Sequence, residues 1–196
     1  EGLPLLENSW RPGLKVLFES SLAKRYVSTR EIVQKIISII NITDKEGEFG
    51  ELYLLLTART KEEAKMRFER FLQKGSERQV AIERWFAEFK KQVSRKIDGA
   101  IIFEGSQELP QPLLGTICSR LCDFFEKPTF FYKETEKENI GHYRTPQGLS
   151  GLKALASCSE LLRRYGGHAP AGGFYFQQKD AKKLEKCLTK YFQKSA

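Results

Sequence analysis

From Thr57 to Ser94 the sequence holds one helical period, and this run most limits what the chain can fold into. Ala64, Phe68, Phe71 and Leu72 line one face, followed by Ile82, Phe86, Phe89 and Val93. Thr60 stands where an N-cap belongs, with Glu62 and Glu63 in the first turn, where acids suit the helix dipole. Gly75 falls mid-run at a cost of about 1 kcal/mol against Ala. The pattern therefore predicts one long helix with a weak point, or a helix–turn–helix. Upstream, Leu14–Leu22 and Phe49–Leu56 read as short helices. Ser28 and Glu31 have capping-box spacing ahead of Ile32, Val33, Ile36, Ile37 and Ile40, and a polar connection begins at Asn41. No strand signal precedes residue 95, so 1–94 is expected to be all-helical, with the long helix as an interdomain connector.

The pattern then changes. Gly99–Phe103 is a short apolar run bounded by Asp98 and Gly105, the mark of a buried strand. Leu113–Phe125 is helical, Pro128–Tyr132 and Ile140–Thr145 are strands, and Leu149–Tyr165 has mostly helical spacing. Arg163 and Arg164 fall in its expected last turn, and Gly166 and Gly167 are expected to stop it. His168 then stands on a loop of Gly, Ala and Pro before the strand Gly173–Phe176, and Lys179–Phe192 closes as a helix. Alternating strands and helices predict an α/β domain over 95–196, a mixed sheet flanked by helices.

Composition narrows the function classes. The chain has 196 residues, 40% hydrophobic and 30% charged, which is a globular rather than a disordered composition. No run of about 18 apolar residues offers a membrane span, and no signal peptide is visible, so no membrane partner and a cytoplasmic location are expected. The sequence opens on Glu1 without an initiator Met and reads as a piece of a longer protein. A net charge of +8 permits a polyanionic partner without demanding one. Cys118, Cys122, Cys158 and Cys187 show no C-x-x-C spacing and predict buried, reduced thiols.

Hydrolytic chemistry is poorly provided for. Metal-assisted phosphoryl transfer gathers several Asp and His ligands. The four aspartates here, Asp44, Asp98, Asp123 and Asp180, fall in separate elements, and the two histidines, His142 and His168, lie far apart. His168 either acts alone in acid–base chemistry or orders its loop, and His142 reads as an exposed strand residue. Phosphate binding fits better. A guanidinium forks onto phosphate oxygens, and backbone N–H groups of a glycine loop or helix start add fixed donors. The candidates are Arg144 and Thr145 in Gly141-His142-Tyr143-Arg144-Thr145, Ser119 and Arg120 after Gly115, and Gly166, Gly167 and His168.

Four of these stretches resemble, in order and spacing, the DHH-associated domain of DHH-type phosphoesterases, most closely the C-terminal part of the RecJ-like single-strand-specific exonucleases. Pro112–Leu121 is similar to that family's Gly-x-x-Gly-x-x-Ala-Ser-Arg-Leu helix, with Pro112 for the first Gly and Cys118 for the Ala. Lys127-Pro128-Thr129 matches its basic-Pro step, and Gly141–Thr145 resembles Gly-Ser-x-Arg-Ser with His142 for the first Ser. Gly166-Gly167-His168 with Ala171 and Gly173 matches its Gly-Gly-His ending. Pro12–Leu17, Asn41 and Leu54–Thr57 resemble the segment ahead of that domain, although Ile42–Glu46 lacks the family's Gly-Arg. The resemblance implies a substrate-binding fragment without its own catalytic residues or metal. Mn or Mg would belong to a DHH domain of the same protein preceding Glu1. The fragment would hold single-stranded nucleic acid, DNA before RNA, with Arg144, His168 and the glycine loop on phosphates. A phosphodiesterase for short oligonucleotides or cyclic dinucleotides, and a non-catalytic RecJ-like replication scaffold, remain open on the same residues.

Overall fold

Pro12 opens the first helix of a computed structural model that describes residues 11–22, 49–96 and 99–194. The helix expected after Ser28 and the connection after Asn41 lie outside the described residues. The chain divides into two compact units, Glu1–Val80 and Ala81–Ala196.

In the first unit, α1 (Pro12–Leu22), α2 (Phe49–Leu56) and the start of α3 (Lys61–Ser94) enclose Val16, Leu17, Leu55, Ala58, Ala64, Phe68 and Phe71. Leu72, expected on the same face, is 45% exposed. Proline suits the first helical position because its absent N–H has no helical acceptor there. The Thr60 cap is realised: its Oγ1 accepts from Glu63 N at 3.2 Å, and Glu63 Oε2 accepts from Arg59 N at 3.2 Å. The Arg59 N–H, then Arg67, hold the Glu63 carboxyl below its ordinary value. α3 runs unbroken through Gly75. Buried Phe68 and Phe71 before the glycine, and Ile82, Trp85 and Phe89 after it, outweigh its helix-propensity cost of about 1 kcal/mol.

The second unit carries a mixed five-stranded sheet with helices, as the sequence predicts. Its strands are β1 (Ile102–Ser106), β2 (Thr129–Lys133), β3 (Asn139–Arg144), β4 (Arg164–His168) and β5 (Ala171–Phe176), in the order β1-β2-β3-β5-β4. β1 and β2 are parallel and joined through α4 (Leu114–Phe125), and the other pairs are antiparallel. Alternation on the strands sorts two cores. Phe131 faces α4 and the second half of α3, with Trp85, Phe89, Leu114, Ile117 and Leu121. Phe130, Tyr132, Tyr143, Phe174 and Phe176 face α5 (Gly151–Ser157) and α6 (Ala181–Gln193).

Three expectations fail here. The helix expected over Leu149–Tyr165 is only α5, capped by Ser150 Oγ accepting from Lys153 N, followed by a 3-10 turn at Ser159–Leu161. Arg164–His168 is an edge strand, not a helix end and a loop, so Gly166 and Gly167 stop no helix. The cause is tertiary. Arg163 N donates to Tyr175 O at 2.8 Å, and five rungs from Arg164↔Tyr175 to His168↔Ala171 pair β4 with β5. Cys158 and Cys187, expected as reduced thiols, form a disulfide with Cα atoms 6.1 Å apart, because α5 and α6 lie side by side on one face of the sheet. Cys118 and Cys122 are free and buried.

Candidate nucleic-acid interface

Strand register decides which candidates meet. Residues directly opposite one another share a face. One rung on the α4 side therefore reads Thr129, Arg144, Ala171, His168. The next reads Phe131, His142, Gly173, Gly166, and beyond it Tyr175 stands beside Arg164. Arg144 and His168 are thus brought to the same rung, two strand spacings or about 10 Å apart. The floor between them is Ala171, with the Gly166–Gly173 pair alongside.

The glycines separate into two kinds. A Cβ on Gly172 would lie 2.2 Å from Gly166 O and 2.6 Å from the Tyr143 ring, and one on Gly167 would lie 2.5 Å from Ala171 O. Gly167 also has φ +133°, a backbone conformation costly for any side chain. These two glycines are needed for the hairpin to close. By contrast, a Cβ on Gly166 would meet nothing within 4 Å, and one on Gly173 only Gly141 O at 3.4 Å. An open glycine in a strand leaves room for close approach to the backbone from outside.

The hairpin tip is held from below. Tyr143 Oη–H donates to His168 O at 2.7 Å, Gly151 N to Ala169 O at 2.9 Å and Thr145 N to Pro170 O at 3.0 Å. Thr145 Oγ1 donates to Leu149 O at 3.0 Å, and the residue is buried, so this candidate anchors the tip rather than facing outward. Burial pushes the Tyr143 hydroxyl above its ordinary value, which keeps it a donor.

Arg144 spends one nitrogen on its own strand, Nη1 donating to Tyr143 O at 2.8 Å. Gly115, in the first turn of α4, lets His142 and Arg144 lie close: its Cβ would sit 3.3 Å from His142 Nδ1 and 3.8 Å from Arg144 Nη2. Ser119 is one turn further along the same helix face. Arg120 is not brought to the site. Its guanidinium forks onto Glu83 at 2.9 and 3.0 Å and lies over the Phe86 ring at 4.2 Å. The Cys118 thiol donates to Thr129 O and His142 O, and burial pushes it up to about 12, so it is no nucleophile.

The sequence offers neither His142, read as an exposed strand residue but half-buried beside Gly115, nor the Arg164–Tyr175 pair as part of the site. Period-two alternation from Arg144 would have found His142. The others required knowing that β4 is a strand. Of the four Lys or Arg between Asn139 and Gln177, Arg144 and Arg164 stand on this face, and the one acid in that stretch, Glu160, lies outside the strands. Among the described residues no three His, Cys, Asp or Glu side chains gather, so they do not fit a divalent metal, and no step through one is assigned to them. No helix among the described residues is long and apolar enough to cross a membrane.

No family model matches the chain. Among curated proteins it is similar to the single-stranded-DNA-specific exonuclease RecJ of Thermus thermophilus, 26% identical over 175 residues, covering 89% of this chain and 25% of that protein. It is also similar to RecJ of Bacillus subtilis, 28% identical over 115 residues, covering 52% of this chain and 15% of that protein. Two solved structures share its fold. One is exonuclease RecJ bound to manganese, with TM-score 0.78, 23% identity and coverage of 98% of this chain and 48% of that one. The other is Thermus thermophilus RecJ with Mg2+, with TM-score 0.79, 24% identity and coverage of 95% and 29%. The chain is therefore RecJ-like, in line with the C-terminal resemblance of its motifs, and spans a quarter or less of the curated relatives' length.

Proposed function

We propose that this RecJ-like chain is the part of an exonuclease that holds single-stranded nucleic acid, DNA before RNA, in the cytoplasm. Metal-dependent phosphodiester hydrolysis would belong to a DHH domain of the same protein outside this chain, with its Mn or Mg. The observation that carries the reading is the open Gly166–Gly173 rung beside Arg144 and His168. A bare backbone lets a polymer lie close, a guanidinium forks onto its phosphate, and an imidazole donates or stacks. His142 stands beside Gly115 at one rim, with Ser119 following on that helix face. Gly167 and Thr145 contribute by shaping the hairpin that carries His168, and Arg120 by tying α4 to α3.

The test is fluorescence anisotropy of labelled oligothymidylate with the 196-residue chain at low and moderate salt. Binding should weaken with salt. Arg144→Ala should reduce affinity by about tenfold or more and lower the salt slope by about one. His168→Ala should reduce affinity with its circular dichroism unchanged. A chain that binds no oligonucleotide, or binds equally well without either side chain, contradicts the reading.

A further inference from the structure

One further feature of this face is absent from the family motifs that led to it. The rung beyond Gly166–Gly173 carries Arg164 opposite Tyr175, with the guanidinium carbon 3.7 Å from the ring centroid. Tyr175 alternates with buried Phe174 and Phe176, so it stands on the side of the open glycines. Arg164 is exposed on the edge strand. Its segment, Arg164–Gln177, contains no acidic residue to claim the cation.

Successive rungs on one face are about 7 Å apart, so His168 and Arg164 lie about 13 Å apart along β4 with the bare rung between them. A chain molecule that lies on the bare rung and is held at His168 and Arg144 must pass Arg164 if it continues along the strand. A guanidinium over a phenol ring is a planar cationic surface. Bases stack on arginine planes and aromatic rings regardless of sequence, and the guanidinium edge still reaches phosphate.

We propose that Arg164 and Tyr175 form a second nucleotide subsite, on which a base of a single-stranded polynucleotide stacks one rung beyond the glycine floor. The inference rests on the proposed function. It adds a substrate class to it: a strand long enough to reach from Arg144 to Arg164, in preference to a dinucleotide.

The experiment measures affinities of the 196-residue chain for a thymidine dinucleotide, by competition, and for a longer labelled oligothymidylate. It includes Arg164→Ala, Arg164→Lys, Tyr175→Leu and Arg144→Ala. Arg164→Ala should weaken the long oligonucleotide by about tenfold and leave the dinucleotide within about twofold. Arg164→Lys should keep the salt slope yet lose much of that affinity, and Tyr175→Leu should weaken the long ligand alone. Arg144→Ala should weaken both ligands. Should Arg164→Ala change neither ligand, or both equally, while Arg144→Ala still acts, the subsite is wrong and the main reading stands. Full retention of long-strand affinity by Arg164→Lys removes the stacking. Failure of the unaltered chain to bind either ligand overturns the subsite together with the proposed function.

Discussion

Tyr143 and Arg144 are consecutive residues on one strand and belong to two different surfaces. Tyr143 is fully buried, stacked on Phe130, enclosed by Gly151 and Gly172, and its hydroxyl holds the hairpin tip. Arg144 turns to the other side, where β5 and β4 present Ala171, Gly173 and Gly166 without side-chain cover. The sealed side is aromatic, stapled by Cys158–Cys187 and crowded enough to require its glycines. On the open side, glycines stand where nothing crowds them. Gly172 and Gly173 look alike in sequence, yet one answers to packing and the other is free to answer to a ligand.

Substitutions that distinguish the two sides should separate stability from binding. The largest effect is expected at Gly172. Gly172→Val puts a side chain onto the Tyr143 ring and the Gly166 carbonyl, and should cost about 4 kcal/mol or more, read as a collapse of the thermal transition. If that variant melts like the parent, the sealed side is not sealed.

The disulfide comes next. Reduction, or Cys187→Ser, should lower stability by about 3 kcal/mol for a sequence separation of 29 residues, measured by urea unfolding. Oligonucleotide affinity should stay unchanged, because the bond joins α5 to α6 behind the sheet. Lost affinity with unchanged stability would show that the two sides are not separable.

A smaller effect is expected in alkali. Burial pushes the Tyr132 hydroxyl from 10.0 up to about 12. The unfolded chain releases this proton first, so the stability it contributes is complete below pH 10 and is lost as the pH rises towards 12. This group's share of the loss should be about 1 kcal/mol by roughly pH 11, and Tyr132→Phe should make the curve shallower without levelling it, because burial also raises the Cys118 thiol to about 12 and the Cys122 thiol to about 11. An equally steep curve in that variant would place the titrating group elsewhere.

What could be read in the sequence follows from how local each cause is. The α3 helix, its Thr60 cap and the core rows on either side of Gly75 rest on spacing and capping, and both are written in neighbouring residues. The β4 strand rests on pairing with β5. Gly-Gly-His has little strand propensity of its own, and Leu161 and Leu162 prolong a helical spacing that the backbone abandons after Ser157. Missing β4 hid the shared rung of Arg144 and His168, and left Arg164 looking like a helix-end charge. Arg120 comes from a family motif as Arg144 does, though as a weaker candidate, and its fork with Glu83 is what keeps it from the site. The disulfide was out of reach for the same reason, since nothing near Cys158 in sequence announces Cys187.

The most direct test of the open surface is Gly166→Val, with melting temperature and oligothymidylate affinity measured on the same sample. A Cβ at Gly166 meets nothing within 4 Å, and valine suits a strand. Melting should therefore stay within a few degrees of the parent, while affinity falls by about tenfold because the floor is no longer bare. Unchanged affinity in a protein that melts normally would contradict the account, since the polymer would then lie somewhere else.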